Sequence, residues 1–343
     1  MAFPDYFMIY LYNPSTEMAL ASGGNTYTPP RSVMQFEQYN MLLPSLYANP
    51  GDSVLFLYDF KGDNLENHPL FRRDIKYISV NEISEHRDTI SPWGWNPALR
   101  ARLILAGYPS DQIYSYETIQ CWRNLAHRRS SITINRLLNL PDMLVPREFI
   151  DLNNAMDNVL SRESCMLKMP WSSSGRGVLP IMKGEESKAK RRIKDTIARQ
   201  GSVIIENLWN KQYEFATEWE SDGSEIKYLG LSLFTTDGHG NYKANIVAPQ
   251  VFLENRLSEY ISIKKFDLLK EKLKFALKDI LIDNSESPYI GPLGVDSMIT
   301  PEGELIPCLE INLRRTMGHV AISLEKERGL LTMSGKYYIF ATE

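Results

Sequence analysis

The stretch from Gly291 to His319, GPLGVDSMITPEGELIPCLEINLRRTMGH, narrows the folding options more than any other part of the chain. Pro301-Glu302-Gly303 is turn chemistry between two strand-like runs, so the pattern predicts a hairpin. Folding about that turn sets Asp296 roughly opposite Glu310, since both lie about seven residues from Gly303. Side chains alternate faces along a strand, which places Glu310 and Asn312 on one side and Leu309, Ile311 and Leu313 on the other. The apolar set can sit on a core, leaving two carboxylates and an amide together. Like charges opposite each other destabilise a sheet unless something neutralises them. A hard cation is the natural neutraliser, and Mg²⁺ typically takes one or two carboxylates plus substrate phosphates. A half-exposed hairpin with solvated acids is the plainer alternative.

The chain has 343 residues, enough for two or three subdomains with buried cores. A net charge of -4 points away from a general nucleic-acid or membrane-surface binder. The basic run Lys188-Ala189-Lys190-Arg191-Arg192 lies in a helical pattern and reads as a solvated face. Cys121, Cys165 and Cys308 are widely separated, which argues for a reducing compartment and against a disulfide framework or a zinc site. Cys121 with His127 could suggest a nucleophile pair, but scattered Cys/His pairs are common. No apolar run approaches the ~20 residues that span a bilayer. The start, MAFPDYFMIYLYNP, lacks a basic segment and a small-residue cleavage site, so it reads as a first strand. The expected location is cytoplasmic.

Along the chain, Phe7 to Tyr12, Ser53 to Tyr58 and Tyr77 to Val80 read as strands, with a helix from about Ser32 to Tyr47. Strands alternating with helices suggest a small α/β unit with a parallel sheet. Gly23-Gly24 lacks the spacing of a dinucleotide fingerprint. His68 and His86 sit in polar surroundings and read as surface residues. Helical stretches run to about Leu138, and Pro141 and Pro146 mark a break. Cys165 to Pro170 and Leu179 to Met182 are strand-like around a glycine-serine loop. A basic helix from about Glu185 to Gln200 and a strand from Ser202 to Glu206 follow. Tyr213 to Trp219 and Ile226 to Leu233 look like antiparallel partners, and a long helix from about Ile263 to Ile282 precedes the hairpin.

Lys168 stands on a predicted strand just before Ser172-Ser173-Ser174-Gly175-Arg176-Gly177. Glycines free the backbone to turn N–H groups toward an anion, and serines add hydroxyl donors. A lysine beside such a loop supplies a point charge for phosphate. Next comes VIIENLWNKQYEF, in which an acid ends an apolar strand and a second acid follows at Glu214. Each element alone is weak. Their order, completed by D…E-x-N on the late strands, resembles the ATP-grasp superfamily over about Arg129 to Arg315, more than half of the chain.

That resemblance implies an α/β (α+β) fold: an ATP-grasp domain over 128–343 behind an N-terminal, Rossmann-like pre-ATP-grasp α/β domain over 1–127. A small lid would span about 145–215 and a larger metal-binding part 216–343. Lys168 looks like the lysine that contacts the nucleotide phosphates. Ser172, Ser173, Ser174, Gly175 and Gly177 look like the loop that closes over them. Glu206, Asn207 and Leu208 fall where the family holds adenine, and Glu214 where it holds ribose. Asp296, Glu310 and Asn312 match its magnesium ligands. Arg129 sits where these enzymes often place another phosphate-binding cation, with Arg128 the alternative. D-alanine–D-alanine ligases share this layout but tend to carry an arginine two residues before the metal-binding aspartate, where this chain has Gly294. The basic residues instead follow the acids, as Arg314 and Arg315, so the cation on the acceptor side is expected there, with Arg315 favoured.

The resemblance implies an ADP-forming ligase using ATP and Mg²⁺, with Mn²⁺ as an alternative ion. A carboxylate, on a small molecule or peptide, becomes an acyl phosphate that an amine then displaces. Phosphoryl transfer needs mainly positioning and charge neutralisation, which cations and metal ligands of this kind supply. The other readings are an ATP-grasp kinase acting on a small molecule, and a nucleotide-binding protein without turnover. No nucleic acid or membrane partner is expected, and homodimerisation stays open.

Overall fold

The computed structural model describes residues 7–61, 64–172, 177–236, 242–324 and 328–342. Three sheets organise these residues. The first is built from β1 (Met8–Leu11), β2 (Ser53–Phe56), β3 (Lys76–Ser79) and β4 (Thr89–Pro92), all parallel, in the order β3-β2-β1-β4. Every residue of β2 is buried, as expected of a parallel strand covered on both faces. On one face Ile9, Leu11 and Leu55 pack with Leu99 and Leu103 of the helix Pro97–Leu105. That helix is started by Asn96, whose side chain accepts the Leu99 N–H at 2.9 Å, and by a proline at its first position.

The expected helix from Ser32 to Tyr47 is two pieces, an α-helix over Arg31–Tyr39 and a 3-10 turn over Leu43–Leu46. Asn40 ends the first: its amide donates to the Phe36 carbonyl at 2.9 Å and its side-chain oxygen accepts the Tyr338 N–H at 2.8 Å. Pro44 has no N–H with which to continue. The long helix likewise stops at Lys278 and passes into a π-turn, Asp279–Asp283.

The second sheet comprises β5 (Arg147–Phe149), β6 (Ser164–Lys168), β7 (Val178–Met182) and β8 (Val203–Glu206), antiparallel in the order β5-β8-β6-β7. One face carries the helices Leu152–Leu160 and Glu186–Gln200 on Cys165, Leu167, Val203 and Ile205. Alternation then turns Lys168, Ile204 and Glu206 to the opposite face, where Ile204 packs on Ile132 of the helix Arg129–Leu137.

The third sheet has seven strands, β13-β12-β9-β10-β11-β14-β15. It contains β9 (Tyr213–Asp222), β10 (Ile226–Thr236), β11 (Tyr242–Val247), β12 (Ile290–Ile299), β13 (Leu305–Asn312), β14 (Gly329–Ser334) and β15 (Tyr337–Thr342). Phe215, Trp219, Leu293, Val295 and Ile311 form its core face, packed on Phe266, Leu273 and Leu277 of the helix Ile263–Lys278. Its far end merges with the first sheet, because Val247, Val320, Leu331 and Tyr338 share one core with Tyr12, Val54 and Phe56.

Candidate active site

The β12–β13 hairpin forms about the turn read from the sequence, with Gly303 at φ 77° and its N–H donating to the Thr300 carbonyl at 2.9 Å. Asp296 pairs directly with Glu310, but the register then shifts, so that Met298 faces Ile306. This bulge alters one expected side chain. Ile311 and Leu313 enter the core as predicted, whereas Cys308 takes the core place expected of Leu309. Leu309 stays half-buried, and its carbonyl lies 3.5 Å from the Lys168 ammonium.

Asp296 is half-buried among other acids. Burial pushes its carboxyl well above the ordinary range, and the nearby Glu310, Glu218 and Glu214 carboxylates push the same way, against one hydrogen bond from Asn312 at 3.2 Å. Arg128 partly relieves the crowding. Its buried guanidinium reaches Glu310 at 2.5 Å, the Ser172 hydroxyl at 2.6 Å and the Met169 carbonyl at 2.7 Å. Its neighbour Arg129 turns outward and pairs with Glu148 at 2.8 Å, its side chain 55% exposed. The structure thus brings Arg128, the alternative, to the acids and leaves Arg129 away from them. The reason is helical geometry: consecutive residues at the start of the helix Arg129–Leu137 point about 100° apart.

Lys168 and Glu206 make a buried ion pair at 2.5 Å on the face of the second sheet opposite its two helices. Asn207 is turned toward Arg162, which donates to its side-chain oxygen at 2.6 Å, and Leu208 is half-buried beside it. Glu214 pairs with Lys211 at 2.6 Å near the same edge. Gly177 lies so close to Ser172 that a Cβ there would sit 1.9 Å from the hydroxyl oxygen. Ser173, Ser174, Gly175 and Arg176 lie outside the described residues.

Arg314 and Arg315 part company at the end of β13. Arg314 donates to Asn312 at 3.0 Å and pairs with Glu17. Burial lowers its guanidinium to about 10. Arg315 turns away from the acids and lies over the Tyr47 ring at 4.2 Å and the Tyr10 ring at 5.7 Å, with its buried Nε unpartnered. β13 ends at Asn312 and the chain bends at Arg314, whose N–H donates to the Asn312 carbonyl at 2.8 Å; this turn puts the Arg314 side chain beside the acids and the Arg315 side chain, favoured from the sequence, on the two tyrosines. Both arginines abut the carboxyl ends of β1 and β4, where the strand order of the first sheet reverses, a recurrent place for ligands in α/β sheets. The two loops there hold each other: Asn13 donates to the Gly94 carbonyl at 2.8 Å, and the Arg315 N–H donates to the Trp93 carbonyl at 2.7 Å. A narrow cavity lined by Thr16, Glu17, Arg128, Ser172, Asn312 and Arg314 runs between them.

No family model matches the chain. One curated relative, the [butirosin acyl-carrier protein]–L-glutamate ligase of Niallia circulans, is 26% identical over 169 residues, 48% of this chain and 36% of that protein. Among solved structures, a biotin carboxylase–β-γ-ATP complex from Campylobacter jejuni superposes at a TM-score of 0.56 and 13% identity, covering 92% of this chain and 67% of that one. An L-amino acid ligase from Bacillus licheniformis gives 0.50 and 14%, covering 92% and 69%. The chain has the ATP-grasp fold.

Within the ATP-grasp cleft two further groups face the acids that sequence reading did not single out. Glu218 is almost fully buried and lies 3.0 Å from His319 Nδ1, which also accepts the Thr316 N–H at 3.1 Å. Glu17 follows the carboxyl end of β1 and keeps one buried oxygen unpartnered. Strand alternation could have found the first, since Glu214 and Glu218 share a face of β9. No pattern in the sequence announces Glu17, which becomes relevant only through the packing of the first sheet against β13. Among the described residues no helix is long and apolar enough to cross a membrane.

Proposed function

We propose that the chain is an ATP-dependent ligase that activates a carboxylate as an acyl phosphate for attack by an amine, releasing ADP and phosphate. The observation that carries this reading is the meeting of opposite charges across the cleft. Asp296, Glu310 and Asn312 stand on one sheet, and Lys168 stands on the facing sheet, with Arg128 and Arg314 at the border. The match to the glutamate ligase supports ligation, and its name makes an amino acid joined to a carrier protein a reasonable substrate pair alongside two small molecules.

The residues fit a hard cation. Two carboxylates meet with an amide, and Asp296 is crowded by acids that Arg128 alone does not balance. Mg²⁺ ordinarily takes one or two carboxylates and completes its shell with phosphate oxygens and water, with Mn²⁺ as the alternative. Asp296, Glu310 and Asn312 would hold it, and it would supply charge neutralisation on the phosphates. In this reading Lys168 and Arg128 bind and orient the phosphates, under the loop of Ser172 to Gly177. Glu206, Asn207 and Leu208 flank the base, and Glu214 takes the ribose. Arg314, fixed between Asn312 and Glu17, faces the acceptor acid and offers a planar fork suited to a carboxylate. Arg315 supports the same wall from behind. We further assign 1–127 to the N-terminal domain and 128–343 to the catalytic one, with the lid at about 145–215, in a reducing, cytoplasmic setting.

Candidate acid and amine pairs would be screened for Mg²⁺-dependent ADP release, with hydroxylamine added to trap an acyl phosphate as a hydroxamate. Acid-dependent hydroxamate is the expected result. A stable phosphorylated product, or nucleotide binding without any turnover across a broad panel, would overturn the reading.

A further inference from the structure

A second concavity lies outside the cleft, between the helix Arg129–Leu137 and β5. It encloses about 590 Å³, in the range of ligand sites. Its floor is closely packed: Ile132, Val145 and Pro146 are buried there and Phe149 is half-buried. Its rim carries Arg129, Arg136 and Arg147; the first two are seven residues apart and so lie along one face of the helix. Arg129 is paired with Glu148, but among the described residues neither the Arg136 nor the Arg147 side chain has a partner. Three guanidiniums thus meet two carboxylates, Asp142 and Glu148, on a chain whose net charge is -4. On the same stretch, Met143 and Ile150 are 74% and 75% exposed. Among the described residues β5 is the outer strand of its sheet, with one backbone edge not paired to another strand.

We propose that this groove docks an acidic, amphipathic segment of a partner protein. Its carboxylates would pair with Arg136 and Arg147, and its apolar side chains would cover the exposed Met143 and Ile150. Charge selects the occupant, because a neutral or basic segment would bury these arginines without a counter-charge. Size argues for a protein segment over a small anion, since a phosphate-sized ligand would leave Met143 and Ile150 in water. The groove also shares a helix with the cleft: Arg128, just before Arg129, reaches Glu310. A partner seated here would lie beside the site without entering it.

The inference stands without the ligase reading, because docking needs neither nucleotide nor metal. The probe is a fluorescein-labelled peptide in which Asp and Glu alternate with Leu, followed by anisotropy in the absence of nucleotide. Saturable binding is expected, weakened about tenfold by raising salt from about 50 to about 300 mM and lost in Arg136→Glu/Arg147→Glu. Both side chains are exposed, so the variant should keep its melting temperature; Arg136→Gln/Arg147→Gln serves if it does not. Absence of saturable binding, equal affinity for both proteins, or displacement by micromolar inorganic phosphate would overturn the proposal.

Discussion

Arg128 and Arg129 are adjacent in sequence and opposite in environment. The first is buried against Glu310 and Ser172, and the second is an exposed partner of Glu148. Removing Arg129 deletes a surface pair, so Arg129→Ala should cost roughly 0–1 kcal/mol of stability and little activity. Arg128→Ala should lower kcat/KM by about 100-fold if the proposed phosphate-binding role holds, because it removes that charge. Steady-state ADP release by the two variants separates these roles, and equal losses would contradict them. Asp296 supplies a second test. Its carboxyl is raised above the ordinary 3.8, so its folded-state contribution is fully present below about that pH and is lost as pH rises. Above the ordinary carboxylate range the group is a liability without a cation. Asp296→Asn should therefore raise Tm in EDTA while abolishing Mg²⁺-dependent stabilisation by nucleotide, which thermal shift with and without MgATP would show.

At the level of elements, the hairpin shows what was readable and what was not. The turn and the Asp296–Glu310 pairing follow from Pro301-Glu302-Gly303 and strand alternation, both local rules. The bulge that moves Cys308 into the core is not local, because it depends on how β12 sits against β9. The strands β4, β5, β11, β14 and β15 went unread for a similar reason. Most of them are short or half-polar, and they are specified by their neighbours rather than by their own periodicity; β15, with Tyr337, Tyr338, Ile339 and Phe340, carried a readable strand pattern that was missed. The order of Lys168, Glu206 and Asp296 along the chain was legible, whereas the choice between Arg128 and Arg129, and between Arg314 and Arg315, waited on the angle at which a helix and a strand end meet the cleft. Packing also makes Gly318 critical: a Cβ there would meet Glu218 Oε1 at 2.0 Å and the Ser232 hydroxyl at 2.6 Å. Gly318→Ala should destabilise by roughly 1–3 kcal/mol, measured by denaturant unfolding. An unchanged midpoint would mean that Glu218 can move aside.

For the whole molecule, the acid limit of stability should be set partly by His127, which joins the helix Arg129–Leu137 to the second sheet through Trp171 and Ser202. Burial, and then the Arg129 charge, lower its imidazole to about 4. An unfolded histidine takes its proton near pH 6.5, so the unfolded chain binds more protons between about 6.5 and 4. Stability is thus complete above about pH 6.5 and falls as pH drops, by about 2 kcal/mol at pH 5 from this group. His127→Gln should flatten that part of the curve in pH-dependent thermal melts.

The core shared by Tyr12, Val54 and Phe56 with Val247, Val320, Leu331 and Tyr338 bears on how such a chain can be divided. The first 127 residues cannot be treated as a detachable accessory. Cutting at that boundary would strip the cover from one end of the seven-stranded sheet and remove Glu17 from Arg314. Residues 128–343 expressed alone should come out insoluble or associated, and mixing in the separately made 1–127 fragment should restore a monodisperse particle. Insertions and fusions belong elsewhere, at the Pro301-Glu302-Gly303 turn, where the backbone is exposed and nothing packs against Gly303.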